Sequence, residues 1–289
     1  MINLNVYKKS SISFLELVIK SKKKGRNESV PFYKDRIKLL VPFLERSYQI
    51  YDAAFIENKL YNLSAIPNID PHEKEDLLKL YNYSSKPFVN LKNAIISLPN
   101  NRELNTCQYC TINDVNTLDH IIPKESFPEF VVHPKNLIPV CSQCNSFKSD
   151  KWIKHGGFEF LNLYLHILPI QQFLFVDIKY NNFTFDVKFY LKNKNGIDSI
   201  LFNIIENHYT NLKLLERFNN KSNEIISEFE NSIIGSLTKL SLNDALECSK
   251  TTIGLERVRL GFNHFENVLK LELCEGLAFK QYCYSKGYK

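Results

Sequence analysis

Apolar residues in the first hundred positions recur at helical spacing. Ile37, Leu40, Leu44, Tyr48, Ile50 and Ala54 mark a stretch over 34–60, in which Pro42 predicts a kink or a split. Asp70-Pro71-His72-Glu73 combines an N-cap, a proline at the first helical position and an acid in the first turn. It predicts a helix running to about Tyr83, with Lys86-Pro87 ending the pattern. Over 101–152 the periodicity disappears, and short apolar runs are broken by Asn, Asp, Pro and Ser. That texture is too irregular to be held by apolar burial alone. Residues 174–179 and 183–191 alternate apolar and polar around Asn181-Asn182, the signature of a hairpin. After Asn195-Gly196 the pattern is helical again, with 212–233 and 254–284 as the longest stretches. The result is an α+β chain, mostly helical, in three regions: 1–100, 101–155 and 156–289.

Composition narrows the class. At 289 residues, 44% hydrophobic and 24% charged, the chain is globular and can bury a core, so global disorder is excluded. Its apolar runs fall far below the roughly 18 residues of a membrane span. The stretch from Phe14 to Ile19 is short and carries Glu16, which does not read as a signal peptide, so a cytoplasmic protein is expected. The net charge of +6 is unevenly placed: residues 1–50 hold 11 Lys/Arg against 4 Asp/Glu, and 101–152 hold 5 against 6. The run Lys20, Lys22, Lys23, Lys24 and Arg26 suits a polyanionic partner, and it equally suits a solvated loop.

The cysteines add chemistry. Cys107 and Cys110 form one CxxC and Cys141 and Cys144 another, 30 residues apart. Cys248, Cys274 and Cys283 stand among apolar residues and are expected as buried, reduced thiols. An odd count argues against a disulfide scaffold. Two CxxC pairs supply four thiolates for one Zn²⁺ at about 2.3 Å, and such a closed tetrahedron leaves no position for catalysis. A redox dithiol needs only one pair, and four unrelated core cysteines is the remaining reading. The insertion between the pairs holds Leu118-Asp119-His120-Ile121-Ile122-Pro123 and Asn136-Leu137-Ile138-Pro139-Val140, and Cys144-Asn145-Ser146-Phe147-Lys148 follows.

That ordered set, over roughly 104–152, resembles an HNH endonuclease of the ββα-metal class, in the variety stapled by a CxxC on each side. The resemblance implies a central ββα-metal module with a four-cysteine zinc site; the small hairpin after it rests on the alternation alone. It implies that Asp119 ligates a catalytic divalent ion and that His120 is the general base. Asn136 would fix the loop that orients His120, and Asn145 would complete the metal site through its side-chain oxygen. The last position is Asn rather than His, and Ser149 stands where some members carry a further His. Two protein ligands plus water and phosphate suit Mg²⁺ or Mn²⁺. Lys148 is a candidate phosphate contact or a solvated helix lysine. His133 matches no motif position and is expected at the surface, while Trp152 and His155 are expected to pack the module against the next domain.

These expectations describe a cytoplasmic, metal-dependent endonuclease that hydrolyses DNA to 5′-phosphate and 3′-hydroxyl ends. Helical flanks of this kind resemble those of effector nucleases in bacterial anti-phage defence, which implies gating by a regulatory ATPase or sensor subunit, or assembly as a homo-oligomer. A non-catalytic zinc-stapled module that binds nucleic acid or protein, and an RNA-cleaving toxin, are the alternatives.

Overall fold

The structure is a computed structural model that describes residues 1–26, 28, 30–67, 69–182 and 184–288. It is an α+β chain, mainly helical, with small two-stranded antiparallel sheets. The chain forms two compact units. One comprises Asn3–Tyr109 and Asn113–Ile167; the other comprises Leu168–Lys289 with Met1–Ile2 and Cys110–Ile112.

The first unit opens with helices α1 (Ser11–Ser21), α2 (Tyr33–Ile56), α3 (Pro71–Leu78) and α4 (Lys86–Ile96). Ser10 caps α1 by accepting from the Ser13 amide, and Asp70 caps α3 by accepting from the His72 and Glu73 amides. Phe14, Leu15 and Val18 of α1, Tyr48 and Tyr51 of α2, and Phe88, Leu91 and Ile95 of α4 are all buried.

Two expectations are corrected here. α2 runs through Pro42 as one helix, so the chain is not split there. The missing amide costs about 3 kcal/mol, and burial of Ile37 on one side and Leu44, Tyr48 and Tyr51 on the other offsets it. α3 stops at Leu78 rather than Tyr83, and Lys86-Pro87 starts α4 instead of ending a helix. Proline is at home in a first turn, where its missing N–H would have had no intrahelical partner.

Short strands follow: β1 (Ser97–Leu98) with β2 (Arg102–Glu103), β3 (Thr117–His120) with β4 (Leu137–Val140), then α5 (Ser142–Lys148), and β5 (Ile153–Lys154) with β6 (Gly157–Phe158). Strands β3 and β4 pair antiparallel, with Asp119 opposite Ile138 and His120 opposite Leu137. The β3–β4–α5 order is that of a ββα unit.

The second unit holds a hairpin of β7 (Leu174–Asn181) and β8 (Thr184–Leu191), then α6 (Ser199–Asn211), α7 (Leu214–Ser236), α8 (Leu242–Leu260), α9 (Phe265–Glu275) and α10 (Leu277–Ser285). The register puts Asn181 opposite Thr184, one residue further along than the sequence reading placed the turn. Phe183, expected to start the second strand, lies outside the described residues. The stretch 254–284 divides into three helices. At Gly261 the backbone has φ +91° and an added Cβ would lie 2.2 Å from the Met1 carbonyl oxygen, so only glycine fits. The rings of Phe218 and Phe265 stack at 4.5 Å in the core of this unit. Among the described residues, no helix is long and apolar enough to cross a membrane.

Candidate active site and metal centre

The site is built where β3 ends. Adjacent residues on a strand point to opposite faces, so Asp119 and His120 share one only because the strand stops at His120 and the chain bends at Ile121-Ile122. Asn136 holds that bend. Its Oδ1 accepts from the Ile122 amide at 2.7 Å, and its Nδ2 donates to the carbonyls of Ile122 and Phe130, each at 3.1 Å. Its own carbonyl accepts from the Ile121 amide at 2.8 Å, and the Tyr51 hydroxyl of α2 donates to its Oδ1 at 3.3 Å. Asn136 is fully buried, so each of these bonds is shielded from water.

His120 is 7% exposed. Its Nε2 lies 2.8 Å from the Val131 carbonyl oxygen, which can only accept, so Nε2 carries the proton and Nδ1 keeps its lone pair. Burial pushes the imidazole pKa down to about 3; the Val131 contact works against that, and the Lys124 and Lys148 charges reinforce it. The ring is therefore neutral, in base form, at neutral pH. Tyr81, three residues past the end of α3, sets its ring against the imidazole with centroids 4.9 Å apart and a 65° tilt.

Asp119 is 3% exposed and Lys148 1% exposed. The Lys148 ammonium lies 3.3 Å from Asp119 Oδ2 and donates to the His120 carbonyl at 2.8 Å. Burial raises the Asp119 pKa, and the Lys148 charge opposes that rise. Despite the ion pair, Asp119 Oδ2 has no hydrogen-bond partner. Lys148 thus faces Asp119 and the strand rather than solvent, which removes the solvated helix lysine that was one of its two sequence readings.

Asp119, His120 and the half-buried Asn145 line one open cleft of about 250 Å³, with Tyr81, Lys124 and Asp150 on its walls. Asn145 and Lys148 are three apart on α5 and so share a face of that helix. A carboxylate and an amide oxygen lining one cleft are hard donors of the kind that suit Mg²⁺ or Mn²⁺.

A second centre lies at the start of α5. The thiol sulfurs of Cys107, Cys110, Cys141 and Cys144 all lie within 4.8 Å of one another, all four residues are buried, and none is in a disulfide. A tetrahedron with arms of about 2.3 Å has corners about 3.8 Å apart, so the cluster fits one Zn²⁺. Cys141 caps α5, its sulfur accepting from the Cys144 amide at 3.4 Å. The Cys107 amide donates to the Asn113 carbonyl at 2.8 Å, and Asn113 Nδ2 reaches the Cys141 sulfur at 3.8 Å, tying the two knuckles together.

Three peripheral expectations are corrected. His133 is not at the surface: it is fully buried between the rings of Tyr48 and Tyr51, at centroid distances of 4.5 and 4.0 Å, with Nε2 3.6 Å from Asp52. Cys248 is exposed, unlike the buried Cys274 and Cys283. His155 is exposed in the β5–β6 turn, whereas Trp152 packs its ring 5.4 Å from Phe127. The sequence reading also missed Tyr81 and Tyr51. Neither carries a local signal: Tyr51 lies within α2 and Tyr81 in the turn after α3, both far from the motif in the chain.

Residues 107–151 match the family model for HNH endonuclease. Over 68 residues the chain is 32% identical to Septu protein PtuB of Bacillus thuringiensis, an alignment covering 22% of this chain and 24% of that protein. No solved structure matches the chain. The ordered ββα unit, the four-cysteine cluster and the family match agree: residues 107–151 are an HNH endonuclease domain.

Proposed function

We propose that this protein is a metal-dependent endonuclease that hydrolyses DNA phosphodiesters at the cleft beside β3, leaving 5′-phosphate and 3′-hydroxyl ends. One observation carries the reading: Asp119, His120 and Asn145, from β3 and α5, line a single cleft. Asp119 and Asn145 would hold Mg²⁺ or Mn²⁺, which when bound neutralises a non-bridging phosphate oxygen and stabilises the departing 3′ oxygen.

His120 does the proton transfer. With Nε2–H given to Val131, the Nδ1 lone pair accepts a proton from a water in the cleft as that water attacks phosphorus. Asn136 keeps the bend rigid, so that the imidazole needs little reorganisation during the step. The four-cysteine cluster would hold structural Zn²⁺, tying Cys141 and Cys144 at the start of α5 to the Cys107–Cys110 turn. The helical regions either side of the domain support the gated-effector reading, with an ATPase or sensor subunit, or a second copy, as the restraint. The work would be done in the bacterial cytoplasm as part of antiviral defence.

The test is cleavage of supercoiled plasmid by wild type and His120→Ala with Mg²⁺, with Mn²⁺ and with chelator. Metal-dependent nicking lost in the variant is expected. Equal cutting by both proteins sinks the assignment of the base. Cutting of RNA but not DNA replaces the substrate. DNA binding by both proteins without cutting makes this a binding module.

A further inference from the structure

The family match begins at residue 107, yet one wall of the cleft comes from residue 81. We infer that Tyr81 is a positioning residue for the nuclease reaction, acting through His120, so that the helical region before the domain is part of the active site. This rests on the nuclease reading above.

Tyr81 touches the catalytic strand in two ways. Its hydroxyl donates to the Leu118 carbonyl at 2.8 Å, two residues before His120. The residue opposite Leu118 on β4 is Pro139, which has no N–H to give. Its ring meets the imidazole of His120 at 65°, an edge-to-face contact between two buried or half-buried rings. The Val131 carbonyl fixes one ring nitrogen of His120 but leaves the imidazole free to tilt about that bond. The Tyr81 ring, packed against the imidazole, blocks that tilt from the side.

Tyr81 is itself braced. Its ring packs edge-on against Phe88 of α4 at 5.2 Å, and Phe88 packs against Phe14 of α1 at 5.6 Å. The Lys124 ammonium stands 5.8 Å from the Tyr81 ring centroid on the cleft side. The early stop of α3 at Leu78 makes this possible, since it lets Tyr81 leave the helix and turn toward β3.

The experiment compares wild type, Tyr81→Phe and Tyr81→Leu in the full chain. Plasmid cleavage with Mg²⁺ gives kcat and KM, and side-chain ¹⁵N spectra of histidine-labelled protein report the tautomer and mobility of His120 without any need for turnover. Tyr81→Phe keeps the ring and removes only the bond to Leu118, so it should lose clearly less than Tyr81→Leu. Tyr81→Leu should lose about 10- to 100-fold in kcat with KM unchanged, because a misplaced base costs rate rather than affinity. Its His120 signals should broaden and move from a single Nε2-protonated form toward a mixture. Should Tyr81→Leu not fold, Tyr81→Met fills similar volume with a flexible chain and is read the same way. Unchanged His120 signals in the leucine variant overturn the proposal. So does a rise in KM at constant kcat, which would make Tyr81 a substrate contact. A wild type that cuts nothing overturns the nuclease reading, while the nitrogen spectra still decide the role of Tyr81.

Discussion

Lys148 holds its ammonium 3.3 Å from Asp119 Oδ2 inside a site where both residues are almost fully buried. A cation is therefore already in place beside the carboxylate proposed to ligate the divalent ion. Removing one partner of a buried pair strands the other charge, typically at about 3–5 kcal/mol. Lys148→Met should lower the melting temperature in chelator. Added Mg²⁺ or Mn²⁺ should then raise it by more than in wild type, because the ion replaces the lost charge. A metal-induced shift no larger than that of wild type would show that the ion does not sit at Asp119. Differential scanning fluorimetry with and without the ions checks this.

The sulfur cluster sets a second expectation. Purified protein should carry about one Zn²⁺ per chain, and Cys141→Ser should lose it. Sites of this kind supply about 10–16 kcal/mol of apparent binding energy, so losing even a third would remove much of a domain's usual stability of about 5–15 kcal/mol. Elemental analysis with thermal melts of both proteins decides it. Retained zinc with an unchanged melt would overturn the structural-zinc reading.

Glu129 makes stability depend on pH. Its carboxyl is buried, its Oε2 has no hydrogen-bond partner, and burial raises its pKa to about 7. The folded value lies above the unfolded one, so the protonated form is favoured on folding. The stabilisation is complete below the unfolded pKa near 4.5 and is lost as pH rises through about 7. At about 1.4 kcal/mol per pKa unit the full effect reaches about 3 kcal/mol. Glu129→Gln should flatten this slope and be the more stable protein at pH 8, as melts from pH 4.5 to 8 would show.

Asn136 and Tyr51 should separate in size. Asn136→Ala removes side-chain bonds to Ile122, Phe130 and Tyr51, and leaves a buried amide and carbonyls without partners. Several such losses at about 1–3 kcal/mol each should unfold or severely weaken the domain and abolish cleavage. Tyr51→Phe removes one hydroxyl at the edge of the same network and should cost only about 1 kcal/mol. Chemical denaturation gives both numbers, and equal losses would mean that Asn136 is not the centre of the network.

The chemistry-bearing residues were legible because their spacing is local. Each CxxC is a single turn, and Asp119-His120 and Cys144-Asn145 are neighbours in the chain, so covalent geometry alone brings each set near its mark. Helix starts such as Asp70-Pro71 and the hairpin over 174–191 were legible for the same reason: caps and alternation act over a few residues. Misreadings came where burial outweighed local preference, as in α2 running through Pro42, or where one signal has two meanings, as at Lys86-Pro87.

By itself, then, the sequence determined the α+β class, the ordered motif between Cys107 and Lys148, and the four cysteines that cluster. Tertiary structure alone decided that Lys148 turns inward onto Asp119, that His133 is buried between two tyrosines, and that Tyr81 stands against His120. A helical pattern states that one face is apolar, but not which distant segment will cover it. Those pairings span 29, 82 and 39 residues and are set by how long-range packing closes, which no local window contains.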